Sequence, residues 1–234
     1  MLKPQRKFTK KEIQQDDVIA TFNKVRSFYD VNKKYVSYGL TALVIIIVAS
    51  YVYIRNRNAN NDKAATELGK VFSIYDAGSS DPKQYKLAID GQPGRGIMGL
   101  KTIVDNYGGT EAGELARFYL ADAYYNTGLI DEALRQFDNF SGGEKLLKAS
   151  AVAGIAACNE SKGNYSDAGS YFEKAAGMIA DNPSAADYYS SATRCYAKAG
   201  EKEKALNAYQ RLKQEFPASQ NAHEAERYIS AFSA

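Results

Sequence analysis

The 234-residue chain has no tryptophan, one histidine, two cysteines and five prolines. A lone histidine without a cysteine or carboxylate cluster at ligand spacing cannot build a metal site. No G-x-S-x-G elbow or comparable nucleophile setting is present either. Because an enzyme also needs an acid or base in a cleft, the sequence offers no catalytic candidate. It predicts a non-enzymatic protein without cofactor or metal.

Charge is missing from one long stretch, residues 35–54, which basic residues flank on both sides. As a helix, with a rise of ~1.5 Å per residue, this stretch reaches about 30 Å, the thickness of a bilayer core. Leucine, isoleucine and valine dominate its centre, and tyrosines lie toward its ends, where they favour the water interface. The pattern predicts a single transmembrane helix over 35–54. The alternative is a buried core helix, although a core helix this long usually has a polar face.

Residues 1–34 form a basic leader, with nine basic side chains against four acidic ones. An amphipathic stretch within it carries apolar residues at helical spacing, namely Val18, Phe22, Val25 and Tyr29. Lysine and arginine beside a span are retained in the cytoplasm, which predicts a cytoplasmic N-terminus and a C-terminal domain outside. Acidic residues interrupt the leader, so contact with membrane lipid explains it better than binding to nucleic acid.

Three segments beyond the span repeat with a period of 35 and then 37 residues. Each has a turn glycine, a small residue seven positions before it, an alanine five after it and an aromatic four further on. The turn glycines are Gly128, Gly163 and Gly200. Helix-forming residues are plentiful and strand-like alternation is absent, so the sequence predicts an all-α domain of helical hairpins.

These segments resemble the tetratricopeptide repeat (TPR) in the spacing of their small, glycine and aromatic residues. The tryptophan usual in the first helix is replaced by Arg117, Val152 and Tyr189. The resemblance implies a TPR-like α-solenoid over 62–234, with its clearest repeats at about 114–147, 149–183 and 186–217. A closing helix over 219–232 has Ala222, Ala225, Tyr228, Ile229 and Phe232 on its inner face. Two further helices upstream resemble a degenerate fourth pair.

A charged leader, a span and TPR-like repeats together resemble the layout of the ancillary SecYEG translocon subunit family. The resemblance implies an inner-membrane protein with a periplasmic repeat domain. Its implied partners are a membrane complex such as the SecYEG translocon, exported proteins and chaperones.

The loop DGQPGRGIMG contains glycines at the spacing of two phosphate-binding motifs. A dinucleotide fingerprint needs a βαβ unit, and no strands are predicted here. A P-loop needs Lys and Ser or Thr after its second glycine, where Ile97 and Met98 stand instead. We therefore predict a plain flexible connection.

Cys158 and Cys195 each lie five residues before a turn glycine. Equivalent positions in neighbouring repeats are separated by a helix-packing distance of about 8–10 Å, beyond the ~7 Å reach of a disulfide. Packing is therefore favoured over a disulfide. His223 is expected on the outside of the closing helix.

The resemblance to the TPR implies that the first helices of the stacked hairpins line a groove and that their outward-facing side chains select the ligand. Six residues are predicted to form this partner-binding groove: Phe118, Asp122, Tyr125, Ser190, Arg194 and Lys198. Ala153 and Ala157 form its shallow middle. An aromatic, acidic end and a basic end suit an extended peptide or a partner helix. The alternative is that these are simply solvated positions.

The sequence thus predicts a scaffold or chaperone-like adaptor in the bacterial inner membrane that binds protein segments in the periplasm. The alternative is a structural subunit docked permanently in another membrane complex. A reversed topology, with the repeats facing the cytosol, is also open.

Overall fold

The computed structural model describes residues 10–230, with side chains from residue 19 onward except that of Val25. The chain divides into two compact units, residues 1–56 and 57–234. The described part contains ten α-helices: α1 (Lys10–Asp76), α2 (Lys83–Asp90), α3 (Leu100–Tyr107), α4 (Glu111–Asn126), α5 (Ile130–Asp138), α6 (Lys145–Ser161), α7 (Tyr165–Met178), α8 (Ala185–Lys198), α9 (Lys202–Glu215) and α10 (Gln220–Ser230). The predicted all-α class is confirmed.

The first unit is helical, and its apolar side chains are uncovered. By length and composition, one helix in the described residues could cross a bilayer, and its most apolar 18-residue window has a mean hydropathy of 2.0 and is 0% buried. A buried core helix is covered by neighbouring elements, and this window is not. Asn32 departs from helical geometry, at φ −110° and ψ 21°. Its side-chain amide donates to the Phe28 carbonyl over 3.0 Å.

Part of the predicted leader lies outside the described residues. This applies to Lys3, Arg6 and Lys7, and to the side chains of Val18 and Val25 on the amphipathic stretch. The side chains of Phe22 and Tyr29 on that stretch are exposed.

The second unit contains three hairpins of similar build, α4–α5, α6–α7 and α8–α9. Each hairpin turns at its predicted glycine, and Gly128, Gly163 and Gly200 have φ values of 78°, 80° and 76°. This left-handed conformation ends the first helix, and glycine adopts it without a steric penalty from a side chain. The repeated glycine is therefore a requirement of the backbone.

Small residues let the two helices of each hairpin approach closely. All six predicted small positions are 0% exposed: Ala121, Ala156, Thr193, Ala133, Ala168 and Ala205. The aromatic that follows is also buried in each hairpin, as Phe137, Phe172 and Tyr209. Phe137 packs with Ala151 and Ile155 of the next hairpin, so the core passes from one repeat to its neighbour.

A fourth pair precedes these hairpins. Leu68 and Val71 from the end of α1 pack with Leu100 and Ile103 of α3 and with Leu120 of α4. This matches the predicted degenerate pair, but the sequence did not predict α2 between its helices.

The glycine-rich loop was predicted as a plain flexible connection without strands, and this prediction is wrong. Gly91–Gln92 pairs antiparallel with Ile97–Met98, and a 3-10 turn at Pro93–Arg95 closes the hairpin. Gly91 and Gly96 have positive φ values of 79° and 67°, which permit this tight reversal. A hairpin of two short strands is still not the βαβ unit of a dinucleotide site.

Helix α10 lies against α8 and α9 at the end of the repeats. Ala222 and Ala225 are buried there, and Ile229 packs beside them. Phe232, also predicted on this inner face, lies outside the described residues. His223 is exposed, as predicted.

Substitution of one interior glycine tests the close packing between hairpins. A Cβ at Gly154 in α6 would lie 2.5 Å from the Phe137 ring. Because Phe137 is buried and cannot move aside, Gly154→Ala is expected to lower the free energy of unfolding by about 1–3 kcal/mol.

The matched control is Gly69→Ala in α1, where a Cβ meets nothing within 4 Å. Since alanine favours helix, that variant is expected to gain about 0.5–1 kcal/mol. Both values are measured by urea unfolding. Equal effects at the two sites would contradict the packing described here.

Candidate functional site

The first helices of successive hairpins form one continuous surface, which we call the first-helix face. It consists of α4, α6 and α8, together with residues 57–76 of α1. Side-chain hydrogen bonds join each of these helices to the next along this face. The predicted groove residues lie on these helices, so their positions can be compared directly.

Asp122 of α4 is half-buried and faces the end of α1. Its Oδ2 accepts a hydrogen bond from the Tyr75 hydroxyl at 2.6 Å and another from Asn126 Nδ2 at 2.9 Å. Burial, then the hydrogen bond to Asp122 and its charge, raise the pKa of Tyr75 far above its ordinary value. Tyr75 therefore stays protonated and donates to the carboxylate at neutral pH.

The other two predicted residues of α4 are held by neighbouring side chains. Tyr125 is half-buried, and its hydroxyl accepts a hydrogen bond from Ser161 Oγ of α6 at 3.3 Å. Phe118 packs inward, with its ring centroid 5.9 Å from that of Phe137 and 6.0 Å from that of Phe140. Phe118 is half-buried and packs against the core, so only part of its ring is available at the face.

At the other end of the face, Glu160 of α6 binds both predicted basic residues of α8. Arg194 Nε and Nη2 lie 3.2 and 2.8 Å from its two carboxylate oxygens, and Lys198 Nζ lies 3.0 Å away. Lys198 also lies 5.1 Å from the centroid of the Tyr165 ring. Glu160 therefore offsets one of the two positive charges, and the cluster keeps a net charge of +1.

The pKa shifts agree with this pairing. Burial would raise the pKa of Glu160, but hydrogen bonds from Arg194 and Lys198 and their charges hold it below its ordinary value. The same carboxylate raises the pKa of Arg194 and of Lys198. All three groups are ionised at neutral pH.

The predicted shallow middle of the groove offers little surface, because Ala153 is buried and Ala157 is half-buried. At the basic end, Ser190 is buried as well. Ser190 therefore does not present the outward-facing hydroxyl that the sequence predicted. Arg194 and Lys198 lie one turn apart on α8 and share Glu160 of α6, whereas Asp122 and Tyr125 each contact a different neighbouring helix.

Sequence reasoning missed Glu160 and Tyr75. The repeat spacing contains a signal for both, because Tyr75, Tyr125 and Glu160 each stand three residues before a glycine, Gly78, Gly128 or Gly163. Tyr125 was predicted as an outward-facing residue of its first helix, and its position relative to the turn glycine corresponds to Tyr75, Glu160 and Ala197 in the other units.

The two cysteines are free and buried, as the packing hypothesis predicts. Burial raises the pKa of Cys158 to about 11 and that of Cys195 to about 12. Both therefore remain thiols at neutral pH, and a protonated thiol is a poor nucleophile and metal ligand. Within the described residues, no group of three or more His, Cys, Asp and Glu side chains could hold a metal ion.

A family model of the tetratricopeptide repeat matches residues 188–219, which include most of α8 and all of α9. The chain therefore contains a tetratricopeptide repeat, a module that typically binds other proteins and is typically not catalytic. The match coincides with the third of the predicted repeats. No curated protein matches the chain.

The Glu160 cluster gives stability that depends on pH. Because the folded-state pKa of Glu160 is depressed, the contribution of its carboxylate to stability is fully present above the ordinary pKa of glutamate, about 4.3. The contribution is lost as pH falls from there through the lower folded-state pKa. Glu160→Gln is expected to cost about 1–3 kcal/mol at pH 7, because Arg194 loses its charged partner.

Urea unfolding at pH 7 and at successively lower pH measures this difference. Asp131→Asn is the matched control, because Asp131 pairs with Lys162 at 2.8 Å but is 78% exposed. Its effect on stability at pH 7 should be smaller than that of Glu160→Gln. A Glu160→Gln cost that did not shrink below the ordinary glutamate pKa would contradict this role of the charge.

Proposed function

We propose that the protein is a membrane-anchored scaffold that binds protein segments on the first-helix face. The anchor is the helix of residues 35–54, with the N-terminus in the cytoplasm and the repeats in the periplasm. The translocon or a similar membrane complex, exported proteins and chaperones are the proposed partners. This choice rests on the resemblance in layout and on the tetratricopeptide match at residues 188–219.

The uncovered apolar surface of the first unit supports the anchor. Leu43, Ile45, Ile46 and Ile47 are 54–62% exposed within the chain. In water, a surface of this kind is an aggregation hazard, whereas lipid would cover it. Lys33 and Lys34 precede the apolar stretch and favour a cytoplasmic N-terminus.

The observation that carries the binding function is the build of the first-helix face. Exposed polar residues, Asn126 and Lys198, stand near the two ends of a surface whose backbone is fixed by buried packing. A rigid surface costs little conformational entropy on binding, which suits the recognition of an extended segment.

Photo-crosslinking in native membranes tests this function. A photoreactive amino acid at Asn126 or at Lys198 is expected to capture protein partners, which mass spectrometry identifies. The same amino acid at Lys174, an exposed residue of the second helix α7, is the matched control and should capture fewer.

Three outcomes are informative. Capture at Asn126 and Lys198 above the level at Lys174 supports a binding face. Equal capture at all three positions contradicts it. If one partner copurified in a fixed ratio in mild detergent, the protein would be a permanently docked subunit and not an adaptor.

Protease accessibility tests the proposed orientation. Protease added outside intact spheroplasts should digest the repeat domain and leave the N-terminal leader protected. An epitope tag at each end, followed by immunoblotting, reports both results. Survival of the repeat domain in intact spheroplasts, with digestion only after lysis, would reverse the orientation.

A further inference from the structure

The two ends of the first-helix face differ in how their charges are balanced. Arg194 and Lys198 share the carboxylate of Glu160. Asp122 receives only neutral donors, the Tyr75 hydroxyl and the Asn126 amide. Among residues 19–230, no lysine or arginine forms an ion pair with Asp122. The negative charge at the α4 end is therefore without a cationic partner in the described chain.

Aromatic rings cluster around Tyr75, whose hydroxyl donates to this carboxylate. The Tyr75 ring centroid lies 4.8 Å from that of Tyr119, 5.5 Å from that of Tyr85 and 5.9 Å from that of Phe72. Phe72 and Tyr119 are themselves 5.2 Å apart in an edge-to-face arrangement. Contacts of this kind hold the rings in place, so the cluster is pre-formed.

The cluster is open to solvent. Phe72 is 38% exposed, and Tyr75, Tyr85 and Tyr119 are half-buried. Asp76, which follows Tyr75, is exposed and adds a second negative charge. Burial, and then the charges of Asp122 and Asp76, raise the pKa of Tyr85.

We propose that Phe72, Tyr75, Tyr119 and Asp122 form a docking site, the aromatic–acidic site, for a lysine or arginine side chain of a protein partner. A cation placed over an aromatic face within about 6 Å is attracted by the ring. A carboxylate in a partly desolvated position strengthens that attraction. An acidic partner would be repelled here, and at the opposite end it would have to compete with Glu160. The site thus favours a basic segment.

This inference rests on the proposed protein-binding function and narrows it to one class of partner. It concerns the α1 and α4 end of the face, whereas the tetratricopeptide match lies on α8 and α9. Sequence reasoning had found Asp122 but none of the three aromatic residues.

A single-tryptophan reporter tests the proposal, because the chain contains no tryptophan. Phe72→Trp keeps an aromatic face at the most exposed ring of the cluster. The full-length protein in detergent is titrated with a blocked Gly/Ser pentapeptide that carries one central lysine. A peptide with neutral norleucine at the same place is the control probe. The lysine peptide is expected to change the tryptophan emission saturably, and the norleucine peptide to leave it unchanged.

Two charge variants in the Phe72→Trp background separate the site from the rest of the face. Asp122→Asn keeps the acceptor for Tyr75 but removes the charge, and should weaken binding of the lysine peptide about tenfold. Glu160→Gln is the matched control and should change the dissociation constant by less than about twofold, because that carboxylate is already paired. Added salt should weaken binding of the lysine peptide to the Phe72→Trp protein. This test needs neither of the two charge variants.

Each other result overturns the inference. Equal binding of the lysine and norleucine peptides would make the cluster an apolar docking surface. Equal losses from Asp122→Asn and Glu160→Gln would show that the charge at Asp122 has no special role. No emission change with either peptide would remove the site. If crosslinking from Asn126 and Lys198 still captured partners, the scaffold function would stand and only the cationic ligand would be withdrawn.

Discussion

The close approach of two helices within each hairpin is the constraint on which the repeat domain depends. Ala121, Ala156 and Thr193 on the first helices are fully buried, together with alanines on the second helices. Larger side chains would separate the helices, and the aromatic behind each pair would no longer fill the space toward the next hairpin. Because close-packed interiors leave little room for adjustment, the small residues fix where every first helix lies.

The first-helix face is a consequence of this spacing. Neighbouring first helices lie close enough for side chains to bond across, as Tyr75 does to Asp122, Tyr125 to Ser161 and Glu160 to Arg194. Side chains at groove positions therefore form hydrogen bonds that hold neighbouring repeats together. What remains for a partner is the charge and aromatic surface that these contacts leave unmatched. At the Asp122 end the carboxylate has no cationic partner in the described residues, whereas at the basic end Glu160 offsets one of two positive charges.

The order of the helical hairpins and of the apolar stretch along the chain could be predicted from the sequence. The turn glycines, the small residues and the buried aromatics follow the same spacing in all three hairpins. The exposed apolar stretch was equally clear, because its length and lack of charge are properties of the chain alone. The strands beside Gly91 and the helix α2 were missed, since each is too short to produce a periodic pattern.

The sequence by itself determined the helical hairpins and their order, because backbone freedom at glycine and the volume of alanine are local properties. Only the tertiary structure decided which predicted groove residues are free. Phe118 packs against Phe137 within its own hairpin, Ser190 is buried, and Glu160 of one hairpin binds Arg194 and Lys198 of the next. Such contacts depend on where one helix lies against the next. The balance of charge along the face is therefore a property of the fold.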